Sequence, residues 1–195
     1  MTKKNLFNYL QIFLAAVLVL LFLISAFLKR SDKPLNYFPM PDFTLTEKNG
    51  KQTQKTSLDG KVWIADFIFT RCAGQCPVMS AKMAQLSQVM KDISFVSFSV
   101  DPTHDTPEVL SAYADQYGAD RQRWLFLTGP MNEINRIATG LKLSRVDEPM
   151  MHSTSFILVD GKGMVRGLYD TNEPSRLSQL KHDAQIVKIE KYREP

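Results

Sequence analysis

The chain predicts an α/β domain built on a central, mostly parallel sheet with an N-terminal hairpin, carried behind a single N-terminal transmembrane helix. Three observations predict it. An unbroken apolar run lies near the N-terminus, strand patterns alternate with helix patterns along the rest of the chain, and the last third closes with a hairpin and a helix.

The apolar run comes first. From Ile12 to Leu28 the sequence reads IFLAAVLVLLFLISAFL, polar only at Ser25. At about 1.5 Å per residue such a run spans roughly the 30 Å hydrocarbon layer, and a buried core helix of that length would show a polar face. It exceeds the core of a secretory signal, and SAFLKR places Phe27 and Leu28 where a cleavage site needs small residues. Residues 1–30 therefore read as an uncleaved anchor in the lipid bilayer. Lys3 and Lys4 on one side balance Lys29, Arg30 and Lys33 on the other, so the flanking charge leaves the orientation open. Pro34, Pro39 and Pro41 mark residues 31–41 as a stiff spacer, which leaves residues 42–195 as the folded domain.

Within the domain, alternation around Phe43 and Leu45 followed by Asn49-Gly50 predicts a hairpin. KVWIADFIFT, apolar on both faces, predicts a central strand covered on both sides. Met79, Met83, Leu86 and Met90 recur at helical spacing, which explains these methionines as core side chains. ISFVSFSV reads as a strand, and TPEVLSAYADQYG as a helix with Thr106 as N-cap, Pro107 in the first turn and Gly118 as C-cap. RWLFLTG is a strand, NEINRIATGLKL a helix, STSFILVD and MVRGLYD a hairpin across Asp160-Gly161-Lys162-Gly163, and PSRLSQLKHDAQIVKI a closing helix.

The formal charge of +4 suggests nucleic acid until it is located. Lys3, Lys4, Lys29 and Arg30 carry all of it, and beyond residue 30 the 20 basic side chains balance 20 acidic ones. No phosphate-binding face is implied, and nucleic acid is not an expected partner.

The chain has two cysteines, Cys72 and Cys76, in FTRCAGQCPVM. They follow the central strand at its carboxyl end, where open α/β sheets gather their functional groups. Pro77 suits a first helical position, which puts Cys76 at the N-cap; the positive helix end and Arg71 both favour a thiolate. Four-residue spacing brings the sulfurs to one side, close enough to bridge or to share an ion, while the bland reading is two small buried hydrophobes. Of the three histidines, His182 reads as a solvated helix residue, His104 lies in the loop DPTHDTP, and His152 opens a strand beside Met150 and Met151.

This strand–CxxxCP–helix unit, the DPTHDTP loop, and a histidine just before a strand that ends in DGKG resemble the Sco family, called SenC in bacteria. KVWIADFIFTRC is very like bacterial members, and the likeness runs in order over roughly residues 40–190. The family is one of membrane-anchored, thioredoxin-like copper proteins that help build the dinuclear copper centre of cytochrome c oxidase. The resemblance implies a thioredoxin-like sandwich and copper as the bound metal. It places the ligands on Cys72, Cys76 and His152, and two acidic residues of the metal's surroundings or partner contact on Asp101 and Asp105. Two thiolates and an imidazole suit Cu(I), and Cu(II) with a further ligand. Ala73 stands where many members carry proline and Met151 where many carry aspartate, but the ligand set is whole.

The implied partners are the copper-centre subunit of the oxidase and a thioredoxin-like reductant that keeps the sulfurs open in an oxidising compartment. The implied location is the bacterial inner membrane, crossed once, with the domain on the periplasmic or extracytoplasmic side. The alternative function is a membrane-tethered thiol–disulfide oxidoreductase that uses Cys72 and Cys76 as its redox pair. Structural zinc fits less well, because it prefers four ligands and three are in view.

Overall fold

The computed structural model describes residues 13–15, 17–19, 38–120, 122–141 and 153–191. Most of the apolar run, the start of the spacer, and Met150, Met151 and His152 lie outside the described residues. The chain divides into two units, residues 1–33 and 34–195. In the first, residues 13–15 and 17–19 are helical, with Phe13, Leu14 and Leu18 exposed. Among the described residues no helix is long and apolar enough to cross a membrane.

In the second unit the elements run β1 (Phe38–Pro39), β2 (Thr44–Glu47), β3 (Gln52–Gln54), a 3-10 turn at Lys55–Leu58, β4 (Trp63–Ile68), α1 (Gln75–Val89), β5 (Ser94–Ser99), α2 (Pro107–Gln116), β6 (Trp124–Thr128), α3 (Met131–Gly140), β7 (Ser155–Val159), β8 (Met164–Asp170) and α4 (Pro174–Lys191). The strands form one sheet in the order β1-β8-β7-β4-β5-β6-β2-β3.

The sheet is mixed rather than mostly parallel. Parallel pairing is confined to β4 with β5 and β5 with β6, where α1 and α2 supply the crossovers. Every other pair is antiparallel. The reason is that both hairpins dock on this parallel trio: β2 pairs with β6 at Thr46↔Thr128, and β7 pairs with β4 at Ile64↔Leu158.

The end of the expected spacer is also part of the sheet. Phe38 and Pro39 pair with Val165 and Met164, and Met40 is buried in the core. Proline is tolerated here because β1 is an edge strand and needs no donor on its open side.

β4 is central and wholly buried, as its apolar run predicts. Its alternate side chains feed two cores. Ile64 and Ile68 pack with Met79, Met83 and Leu86 of α1, Leu110 and Tyr113 of α2, and Leu180, Ala184 and Val187 of α4. Trp63, Ala65 and Phe67 face the other way, towards Ile134, Ile137 and Ala138 of α3 and the N-terminal residues Met40, Phe43 and Leu45. Each fully buried side chain of Met or Leu size contributes about 2 kcal/mol.

The punctuation agrees with the sequence in kind and differs by a residue or two in place. Gly50 takes φ +79° in a three-residue loop closed by Glu47 and Lys51. Thr106 caps α2 by accepting from the Val109 amide at 3.4 Å, with Pro107 at the first position. The C-cap is Tyr117, not Gly118. Gly118 follows at φ +60°, and its amide reaches the Asp115 carbonyl while that of Ala119 reaches Ala114, a left-handed exit that suits glycine.

Candidate metal centre

β4 delivers the chain to the carboxyl edge of the sheet, where Phe69, Thr70 and Arg71 lead into the cysteines. α1 starts two residues earlier than Pro77 would suggest. Gly74 is the N-cap, so Cys76 is the second helical residue and Pro77 the third. The early start costs no hydrogen bond, because the amides of the first turn have no intrahelical acceptor.

That placement makes the two thiols unequal. Cys72 is half-buried and Cys76 is 6% exposed, and neither is in a disulfide. The Cys76 amide donates to Cys72 Sγ at 3.5 Å. Burial works against a Cys72 thiolate, but the amides of Cys76, Gly74 and Gln75 and the Cys76 thiol outweigh it and hold Cys72 below an ordinary thiol. Cys76 goes the other way. Burial pushes it up to about 12, with the Cys72 thiol and the Asp66 charge adding to the rise against a backbone hydrogen bond at Phe69.

Arg71 does not act on the thiolate as expected. Its guanidinium is bound to Asp101, with Nη2 at 2.5 Å and Nε at 3.2 Å from Oδ2. That hydrogen bond holds the Asp101 carboxyl below the usual range, helped by Thr103, whose hydroxyl donates to Oδ1 at 2.9 Å.

Asp105 is fully buried and anchors the same loop from beneath. It accepts from the Thr70 hydroxyl at 2.5 Å, the Thr70 amide at 3.1 Å and the Ser99 hydroxyl at 2.6 Å. The two acids of DPTHDTP thus brace the approach to Cys72 at neighbouring points. His104 is exposed on that loop, and His182 is exposed on α4 with Nδ1 3.2 Å from Asp183.

His152 lies outside the described residues, but the chain just after it is placed. The Thr171 amide donates to the Thr154 carbonyl at 2.8 Å, and Lys82 of α1 donates to the Thr171 carbonyl at 2.6 Å. Gln75, the first residue of α1, donates to Asn172 at 3.0 Å. Among the described residues no three His, Cys, Asp or Glu side chains gather as a metal site. Cys72, part-exposed, and Cys76, buried, form a soft pair, chemistry that fits a thiophilic ion and fits disulfide closure equally well.

Asp66 escaped notice in the sequence. It is the one charged residue in the otherwise apolar β4, and that interruption was its signal. It is fully buried, and neither carboxylate oxygen has a hydrogen-bond partner. Burial pushes it up to about 7. The Ser97 hydroxyl on the adjacent strand pulls weakly the other way, although no bond of ordinary geometry links them; Ser97 Oγ instead accepts from Trp124 Nε1 at 3.0 Å.

With this geometry in hand, known proteins are informative. The family model described as SCO1/SenC matches residues 32–186. The chain is 38% identical over 162 residues to the SCO1 protein homolog of Bacillus subtilis (strain 168), an alignment covering 78% of this chain and 83% of that protein. Its fold superposes with a TM-score of 0.68 on BsSco, a member of the Sco family of cytochrome c oxidase assembly proteins in which a disulfide switch has been identified, at 36% identity over 79% of this chain and 95% of the other. ScoI of Arabidopsis thaliana, solved with copper bound, shares the fold at a TM-score of 0.65 and 24% identity, covering 78% of this chain and 99% of that one. The paired cysteines at the mouth of α1, the braced acidic loop and these likenesses agree: the chain belongs to the SCO1/SenC family.

Proposed function

We propose that this protein is a copper-binding assembly factor that holds Cu(I) or Cu(II) through Cys72, Cys76 and His152 and passes it to the copper-centre subunit of cytochrome c oxidase. The observation that carries the reading is the unequal, open cysteine pair. Cys72 is accessible and favours the thiolate, so it meets the incoming ion first; Cys76, behind it, gives up its proton as the second sulfur engages. The bonds from Thr154 through Thr171 to Lys82 support His152 as the third ligand, because they bring the chain next to it alongside α1. Copper is cargo, and transfer is exchange of these ligands for those of the recipient. Asp101 and Asp105 act through the loop, keeping Thr70 and Arg71 in place before Cys72.

Residues 12–28 anchor the protein in the inner membrane of a bacterium with the domain on the extracytoplasmic side, where a thioredoxin-like reductant keeps the pair open. Thiol–disulfide exchange is the second reading. It is favoured by the Cys76 amide at 3.5 Å from Cys72 Sγ and by the disulfide switch known in BsSco.

Anaerobic titration of the reduced full chain in detergent with Cu(I), against a competing chelator, tests the site. One tight equivalent is expected, lost in Cys72→Ser and Cys76→Ser and weakened in His152→Ala. Binding indifferent to His152, or no binding, removes the three-ligand site.

A further inference from the structure

The first turn of α1 carries Cys76, yet it lacks the usual means of holding a helix start. Its N-cap is Gly74, no side chain among the described residues caps it, and the turn contains no acid. The loop before it offers little packing. Ala73 and Gly74 are exposed, and a methyl group on Gly74 would meet nothing within 4 Å.

What holds the turn comes from a distant part of the chain. Gln75 Nε2 donates to Asn172 Oδ1 at 3.0 Å and lies 3.5 Å from Thr171 Oγ1. Lys82 stands two helical turns further along the same face of α1, and its Nζ donates to the Thr171 carbonyl at 2.6 Å. The turn that receives both is itself firmly seated. Thr171 is 1% exposed, its amide donates to the Thr154 carbonyl at 2.8 Å, and the Asn172 amide donates to Asp170 Oδ1 at 2.9 Å.

We propose that Gln75 and Lys82 are positioning residues for copper binding: they latch the cysteine turn of α1 to the Thr171–Asn172 turn and so fix the separation of the two sulfurs. The inference rests on the reading that Cys72 and Cys76 hold copper. Cys76 belongs to the latched helix, whereas Cys72 precedes it in the loop and meets it at the Cys76 amide, 3.5 Å from its sulfur. With the latch closed, an ion finds both sulfurs already in place. With the latch cut, part of the binding free energy goes into ordering the turn, and affinity falls with the fraction of molecules that are ready. The two contacts divide the work. Lys82 is part-buried and its bond is charge-assisted, which makes it the stronger anchor. The Gln75–Asn172 bond is exposed and neutral, but it acts on the residue next to Cys76.

The test is a double-mutant cycle on the reduced full chain in detergent. It is read by anaerobic Cu(I) competition against a chelator and by the thiolate-to-copper absorption of the Cu(II) form, with urea unfolding of each metal-free protein alongside. Gln75→Ala and Asn172→Ala should each weaken Cu(I) binding by about three- to tenfold, and the double variant should be no weaker than the worse of the two. Lys82→Met should weaken binding by about tenfold and shift the absorption, and Lys82→Arg should restore both. Parent-like affinity and spectrum in the single variants overturn the proposal even where the unfolding midpoint drops, because the bonds would then be merely structural. Losses that add in the double variant overturn it too, since Gln75 and Asn172 would not be acting as one latch. Failure of the underlying reading is separate and is seen before any variant is made: the unmodified protein would take up no copper, and the proposal would fall with it.

Discussion

The amide of Cys76 points at the sulfur of Cys72, 3.5 Å away, so one cysteine of the pair stabilises the charge of the other through its backbone. Two identical residues on one helical turn thereby acquire opposite tendencies. In the reduced metal-free protein, Cys72 should react with iodoacetamide at least about tenfold faster than Cys76 at pH 7.5. Peptide mass spectrometry over time reads both sites. The pH midpoint for Cys72 should fall below the ordinary value of 9.0, because the amides favour the thiolate. Equal labelling would remove the asymmetry.

Arg71→Ala tests whether that charge is held by amides or by the neighbouring guanidinium. Arg71 is spent on Asp101, and its side chain is 61% exposed. The substitution should alter stability by less than about 1 kcal/mol, as for other exposed ion pairs. The labelling rate of Cys72 should change by less than about threefold, measured in the same assay.

Asp105→Ala should be far more costly. It strips three hydrogen bonds from a fully buried carboxylate and leaves the hydroxyls of Thr70 and Ser99 and the Thr70 amide without their acceptor. A loss of about 3 kcal/mol is expected in urea unfolding of the metal-free protein. Copper affinity should fall with it, since Thr70 sits two residues before Cys72.

Asp66 predicts a pH dependence of stability. Its acidity moves from 3.8 to about 7 on folding, so the native state prefers the protonated acid. The preference is fully satisfied below pH 3.8 and is lost as pH rises through 7, a difference of roughly 4 kcal/mol at about 1.4 kcal/mol per pH unit. Asp101 and Asp120 have depressed values and contribute the opposite slope at the acid end. Urea unfolding of the unmodified protein and Asp66→Asn at pH 5 and pH 8 isolates the first effect. Relative to the parent, the variant should be more stable at pH 8 than at pH 5 by roughly 2.5 kcal/mol, because part of the cost has already developed at pH 5.

Much of the scaffold was legible because burial leaves a periodic trace. β4 reads as a doubly covered strand because both of its faces meet apolar cores, and Met79, Met83 and Leu86 of α1 with Met90 at its C-cap read as one face because all four are buried. Capping was legible at Thr106, where the side chain itself makes the bond. Less was legible at the cysteines. Proline in a first turn is compatible with more than one helical position, so Pro77 did not distinguish a helix starting at Gln75 from one starting at Pro77 itself. The pairing of Phe38 and Pro39 was hidden because a two-residue edge strand has no period to read.

By itself the sequence determined the order of the elements, the position of Cys72 and Cys76 just beyond the central strand, and the family resemblance carried by their spacing. These are properties of neighbours along the chain. Only the tertiary structure decided that β7 enters antiparallel beside β4, that Arg71 is drawn to Asp101, and that Thr70 rests on Asp105 thirty-five residues away. It also decided that Cys76 is the more buried sulfur and that Asp66 is sealed inside the sheet between Ile64 and Ile68, which pack with Cys76. Desolvation and hydrogen bonding act through space. The acidity of a thiol or a carboxyl is therefore set by whatever the fold packs against it, and no local pattern records that.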